Sequence, residues 1–382
     1  MSFTVQNNTP YGNVADVCIE SNESITKVSF RPHPHGGPEC LWFCFRLCKE
    51  PQEQSRKVRL VLKNTQNMLG GGEPHNMRPV IRYEGKDWQR LGAPIVEYML
   101  DGRNRAIWLI DTPETFADVA YCYPYGRPEL DKLIEETSGY WKSDIIGISQ
   151  QGRPLIRLSN SYGVKGGNRP GFYLISRQHS GETSGSWVLD GFLRYVATLG
   201  ESAPLVWSIP LTNIDGVEQG DYGKDNFPYD LNRAWAQPPM RHEVLVFQRD
   251  MQRWKQQCKP AAAIDFHAPG ACETNGMYCF LPDPETARDH HDSVINVANI
   301  IAEFLGKEYA ADPFGKVANY KSRWETPSFS RYGWTAFNIP SFTIENPYAM
   351  VKSMVLTREK YREAGERIAK AVISTLKKRN GN

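Results

Sequence analysis

Near residue 122 the chain changes texture, and that change limits what it can fold into. The cluster Tyr123-Pro124-Tyr125-Gly126-Arg127-Pro128 interrupts regular structure. Beyond it, short apolar runs at 171–176, 205–211, 261–266 and 341–344 read as strands. They alternate with helical periodicity at 129–136, 184–199, 243–258, 294–305 and 358–377. Alternation of this kind predicts an α/β domain, a sheet covered by helices. Before the break, segments 25–30, 40–47, 57–63 and 106–109 are β-rich and separated by turn clusters such as Gly70-Gly71-Gly72. Several short strands with turns between them predict an antiparallel β-sandwich. The expected division is therefore 1–121 and 122–382.

Charge and hydropathy exclude some classes of function. With 45 Lys and Arg against 43 Asp and Glu, the 382 residues carry a formal charge of +2. That gives no electrostatic reason to expect a nucleic acid partner. A mean hydropathy of −0.52 and the lack of an apolar run near ~20 residues argue against a membrane span. The first residues, Met1-Ser2-Phe3-Thr4-Val5, show neither the basic nor the apolar part of a secretory leader. The cytoplasm is the expected location, and the oligomeric state is left open. Cys40, Cys44 and Cys48 recur every fourth residue, but aromatic and apolar neighbours interleave with them. They read as buried thiols in a strand rather than as metal ligands.

Four short segments carry chemistry. Arg177-Gln178-His179-Ser180-Gly181-Glu182 follows a strand and sets a His and a carboxylate three residues apart, where both can reach one metal ion. Ala261 to His267 is an apolar strand closing in Asp265-Phe266-His267, which places a second His at a strand end. His179, Glu182 and His267 together would make a His₂Glu set, the open three-ligand arrangement of hydrolytic zinc. Tyr229-Asp230-Leu231-Asn232-Arg233 offers an amide beside a planar guanidinium, a pair suited to gripping a carboxylate. Ser341 to Asn346 delivers Glu345 at the end of a β-rich run, where a general base would sit. Singly, each segment also reads as ordinary solvated polar surface.

In this order the four resemble the zinc metallocarboxypeptidases, in particular their cytosolic carboxypeptidase branch. Asn213-Ile214-Asp215-Gly216 completes the pattern, which covers roughly 122–382. The resemblance implies a C-terminal mixed-sheet α/β/α domain behind an N-terminal β-sandwich, with one zinc ion in the catalytic domain. It further implies zinc on His179, Glu182 and His267, and Asp230 orienting the first His. Asn232 and Arg233 would hold the C-terminal carboxylate of a peptide or protein, and Glu345 would be the general base.

Three departures stand out. Gly181 lies where secreted members carry Arg. The Arg that polarises the scissile carbonyl is replaced by Gly223, and the adjacent Lys224 is the candidate substitute. The position of the family's mobile Tyr holds Arg323, which with Arg331 would line the specificity pocket and favour acidic C-terminal residues. Two other readings stay open: an amidohydrolase acting on N-acyl amino acids or side-chain amides, and an inactive zinc-binding scaffold. The remaining histidines read as bystanders. His33 and His35 show no carboxylate partner in the sequence, and His290-His291 reads as a solvated helix start.

Overall fold

The computed structural model describes residues 3–22, 24–51, 56–226, 228–320 and 322–379. Ten strands precede residue 121: β1 (Phe3–Gln6), β2 (Ala15–Ser21), β3 (Ile25–Arg31), β4 (Cys44–Lys49), β5 (Lys57–Lys63), β6 (Val80–Tyr83), β7 (Gln89–Arg90), β8 (Ile95–Glu97), β9 (Arg105–Asp111) and β10 (Phe116–Ala120). They form two five-stranded sheets, ordered β1-β4-β10-β6-β7 and β2-β3-β5-β9-β8. In β5, Val58, Leu60 and Leu62 turn into the core with the two-residue period of a strand, while Lys57 and Arg59 lie on the other face, where Val61 is also buried.

Two expectations need correction here. The pairing is not wholly antiparallel, because β3 runs parallel to β5. The chain between them passes through β4 in the other sheet, so β5 re-enters in the direction of β3. The strand expected over 40–47 begins only at Cys44. Leu41, Trp42 and Phe43 are buried outside the sheet, with the Trp42 indole donating to the Tyr11 carbonyl at 2.9 Å. That apolar run therefore fills a second contact surface besides the sheet.

After α1 (Arg127–Glu136) comes an eight-stranded mixed sheet, ordered β11-β12-β14-β13-β15-β18-β16-β17. Its strands are β11 (Lys142–Ile148), β12 (Pro154–Ser159), β13 (Pro170–Ser176), β14 (Leu205–Ile209), β15 (Lys259–His267), β16 (Met277–Leu281), β17 (Ala310–Val317) and β18 (Ser341–Glu345). The helices are α2 (Thr183–Thr198), α3 (Ile214–Gln219), α4 (His242–Gln257), α5 (Arg288–Tyr309), α6 (Phe329–Phe337) and α7 (Arg358–Arg379). β13, β15 and β18 run parallel at the centre and are buried nearly throughout, hence their unbroken apolar sequences. α2 packs on α7 at backbone distance: a Cβ on Gly365 would lie 1.9 Å from the Val188 carbonyl oxygen.

α5 is longer than the 294–305 read from sequence and carries a non-helical residue, Gly306, at φ 69°. Its first turn takes in His290, which is buried rather than solvated. The His290 Nε2 donates to the Ser341 carbonyl at 2.8 Å, and the ring stacks on Trp334 at 4.9 Å. Burial pushes its pKa down to about 4.

The N-terminal sheets and the mixed sheet are stitched together. The Ala271 and Cys272 amides donate to the Leu69 and Gly70 carbonyls at 2.7 and 3.2 Å. The Tyr121 hydroxyl donates to the Ala271 carbonyl at 2.6 Å, and Arg90 Nε donates to the Leu356 carbonyl at 2.7 Å.

Candidate active site

The carboxyl ends of three adjacent parallel strands bring the predicted residues together. Ser176 at the end of β13 pairs with Phe266 of β15, and His267 pairs with Glu345 of β18. Beyond β13 the chain turns sharply at Arg177, which sits at φ 66°. The buried Arg177 side chain donates to the Ser180 and Tyr125 carbonyls, and this holds the turn in place. The turn lifts His179 over the strand end and sets Glu182 as the residue before α2.

Glu182 lies between the two imidazoles. Its Oε1 is 2.8 Å from His179 Nδ1, and its Oε2 is 2.7 Å from His267 Nδ1. Each ring turns its other nitrogen outward to a buried carboxylate: His179 Nε2 lies 3.2 Å from Asp230, and His267 Nε2 lies 2.6 Å from Asp265. Burial alone would lower both histidine pKa values, but the carboxylates outweigh it and raise them, His267 well above the ordinary range. Burial likewise works to raise Glu182 and Asp230, yet the neighbouring imidazoles hold both below the usual carboxylate range.

This arrangement fits a metal ion. Ligand atoms of His179, Glu182 and His267 lie within 4.8 Å of one another, and no other such group occurs among the described residues. Two imidazoles and a carboxylate are a borderline-soft donor set of the kind zinc takes. The outward carboxylates fix each ring so that Nδ1 faces the centre.

Glu345 adds a carboxylate of a different kind. Its Oε2 is buried with no hydrogen-bond partner among the described residues. Burial and the Glu182 charge push its pKa up to about 7, against the lowering effect of His267, Lys224 and His179. A carboxylate held near neutrality can take up a proton and give it back.

Asn232 and Arg233 lie on the short 3₁₀ turn Leu231–Arg233, where Asp230 accepts from the Asn232 amide at 2.8 Å. Arg233 donates to Ser322 Oγ at 3.1 Å and forms no ion pair among the described residues. Its charge is therefore open to an external anion. Gly223 has φ 84°, and a Cβ there would lie 2.4 Å from Ser180 Oγ, so the loop excludes any side chain at that position. A Cβ on Gly181 would lie 2.9 Å from the Trp42 Cβ. A side chain at Gly181 is thus crowded by Trp42 of the N-terminal half and by Tyr222.

One cleft of about 890 Å³ is lined by His179, Glu182, His267, Glu345, Lys224, Asp230, Asn232, Arg233, Arg323 and Arg331, which are all the residues singled out in the sequence. The two arginines differ in state. Arg323 is paired with Glu39 and Asp225, so its charge is already taken. Arg331, on the first turn of α6, pairs with no carboxylate among the described residues. Sequence reasoning did not assign Asp265 a part, although two-residue spacing from His267 on one strand puts both on the same face. It also missed Glu39, Leu69 and Gly70, which reach the cleft from loops between the N-terminal strands.

Residues 128–288 match the sequence model of the zinc carboxypeptidases, Peptidase_M14. Among particular proteins it resembles human cytosolic carboxypeptidase 6, with 27% identity over 301 residues, 69% of this chain and 59% of the relative. The Caenorhabditis elegans cytosolic carboxypeptidase 6 is 24% identical over 54% of this chain and 49% of its own. The chain thus spans only about half to three fifths of the length of these relatives. In fold it matches a metallo-carboxypeptidase from Burkholderia cenocepacia along 99% of this chain and 100% of that one, at TM-score 0.77 and 18% identity. A Pseudomonas aeruginosa metallo-carboxypeptidase in complex with (2-guanidinoethylmercapto)succinic acid matches along 98% of both chains, at TM-score 0.72 and 17% identity.

Proposed function

We propose that this protein is a zinc-dependent carboxypeptidase that hydrolyses the last peptide bond of a peptide or protein. The observation that carries this reading is the content of one cleft: a His₂Glu cluster, a buried carboxylate with a free oxygen, and an unpaired arginine. We read residues 1–121 as a β-sandwich domain made of the two N-terminal sheets, and 122–382 as the catalytic domain. The named relatives are cytosolic and no described helix is long and apolar enough to cross a membrane, so the cytoplasm is the location we propose.

His179, Glu182 and His267 would hold the zinc, which when bound supplies the Lewis acidity that polarises the scissile carbonyl and makes water acidic near neutral pH. Asp230 and Asp265 keep the imidazoles neutral-donor side inward. Asn232 and Arg233 bind the terminal carboxylate and thereby set the register of the scissile bond. Glu345 takes the proton of the attacking water and returns it to the leaving amine, a role suited to a carboxyl group at about 7. Lys224 faces the same cleft and is read as the cation that stabilises the developing negative charge on the carbonyl oxygen. With Arg323 already neutralised, Arg331 is the residue that would favour an acidic side chain at the substrate's end.

An inactive scaffold would have no need of a further buried carboxylate beside the metal cluster, and Glu345 supplies one. The test is mass spectrometry on peptides that differ only in the last residue, with zinc-loaded enzyme, with chelator, and with Glu345→Gln. Loss of one terminal residue only in the first arm, at a rate at least ~10²-fold above the variant, is expected. Bound zinc with every peptide intact would overturn the reading and direct attention to amides of small acids.

A further inference from the structure

The loop 220–226 carries Lys224 and follows α3. Gly220, Gly223 and Asp225 all have positive φ, at 71°, 84° and 52°. For Asp225 that conformation is disfavoured by about 1 kcal/mol or more and persists only where surrounding contacts impose it. Part of the restraint is local: the Gly181 amide donates to the Tyr222 carbonyl at 2.9 Å, and the Asp225 amide donates to Asp230 at 2.9 Å. Ser180 Oγ also donates to the Asp221 carbonyl at 3.0 Å, the Asp221 amide to the Gly216 carbonyl at 2.8 Å, and the Trp324 indole to Asp225 at 2.8 Å.

Further restraint comes from the opposite end of the sequence. Asn13 is buried, and its amide nitrogen donates both to the Gly220 carbonyl at 2.8 Å and to the His33 carbonyl at 3.0 Å. Its Oδ1 accepts from the His33 amide at 2.7 Å, so Asn13 ties the 33–35 turn to the loop. His35, itself at φ 48°, places its Nδ1 2.5 Å from Asp221 Oδ1. Glu39 closes the far side through Arg323, which also grips Asp225. Three contacts from residues 13–39 thus bracket Lys224 on both sides, and one of them, through Glu39 and Arg323, lies at the cleft itself.

We infer that the N-terminal domain is a working part of the active site, with His35 as a positioning residue that fixes Lys224 over the cleft by holding Asp221. This rests on the carboxypeptidase reading and on Lys224 as the carbonyl's cation. It accounts for why His35 pairs with a carboxylate 186 residues away, while the nearby Glu39 pairs with Arg323. It also explains how a lysine on a flexible stem could stand in for the arginine that Gly223 excludes: the backbone beneath it is held from two sides.

The test uses the full-length, zinc-loaded protein and four variants: His35→Ala, His35→Asn, Lys224→Ala, and the double variant of His35→Ala with Lys224→Ala. His35→Ala should lower kcat by about tenfold to a hundredfold, as expected when a catalytic group is displaced by about 1 Å, with KM within about twofold because Asn232 and Arg233 are untouched. His35→Asn keeps a donor to Asp221 and should restore most of the loss. The double variant should be no slower than Lys224→Ala alone. Amide hydrogen exchange in the 218–226 segment should be faster in His35→Ala and normal in the Asn variant, whether or not a substrate has been found. Multiplying effects in the double variant, or unchanged exchange, would overturn the inference while leaving the carboxypeptidase reading intact. A harmless Lys224→Ala would remove both the role of Lys224 and this inference. Absence of peptide turnover in every form would sink the carboxypeptidase reading itself.

Discussion

At the scale of single residues, the site is ordered by carboxylates that touch no substrate. Asp230 and Asp265 each accept from the outer nitrogen of one histidine, so both rings present the same atom inward. Asp265→Asn preserves shape but removes the charge that fixes the His267 tautomer. Zinc affinity, followed by competition with a fluorescent chelator, should weaken by about 10- to 100-fold. An unchanged affinity would show that His267 needs no such partner. His179, Glu182, His267 and Glu345 were legible in the sequence because each closes or follows an apolar strand. Asp265 lay in the same strand, but only the observed pairing shows that it serves His267 rather than solvent. The partners of Arg323 were beyond sequence reading, since Glu39 and Asp225 lie far from it along the chain.

At the scale of elements, legibility followed burial. Central strands such as β13 and β15 are covered on both faces and therefore announce themselves as apolar runs. Strand β11 lies at the sheet edge, reads Lys-Ser-Asp-Ile-Ile-Gly-Ile and gives no such signal, so it went unread. Helix pairing was equally silent, because the α2–α7 contact is made by glycines. Gly191 and Gly365 let the two backbones meet: a Cβ on Gly191 would lie 2.1 Å from the Arg362 carbonyl oxygen. Gly365→Val should therefore cost about 3 kcal/mol in denaturant-induced unfolding, the upper end of overpacking penalties. The folded fraction should keep its zinc affinity, because neither glycine lines the cleft. A stability within about 0.5 kcal/mol of the parent would mean that the helices can slide apart at little cost.

For the molecule as a whole, the change of texture near residue 122 falls where the two five-stranded sheets give way to the mixed sheet, and it gives no hint of the contacts made across it. Backbone pairing of 69–70 with 271–272, the Tyr121 hydroxyl and the Arg90 guanidinium all cross that boundary. Trp42 packs beside Gly181, between two of the proposed metal ligands. Calorimetry of the full chain should accordingly show one cooperative transition, and a 122–382 fragment expressed alone should fail to give one. Two separated transitions would show that the halves fold independently despite these links.

The glycine at 223 has a consequence for how such a protein could change over time. Its backbone occupies a left-handed conformation against Ser180, so an arginine introduced there would meet both a forbidden dihedral and an occupied volume. A side chain can enter at this position only if Ser180 and the loop change with it, so the two positions are bound to vary together or not at all.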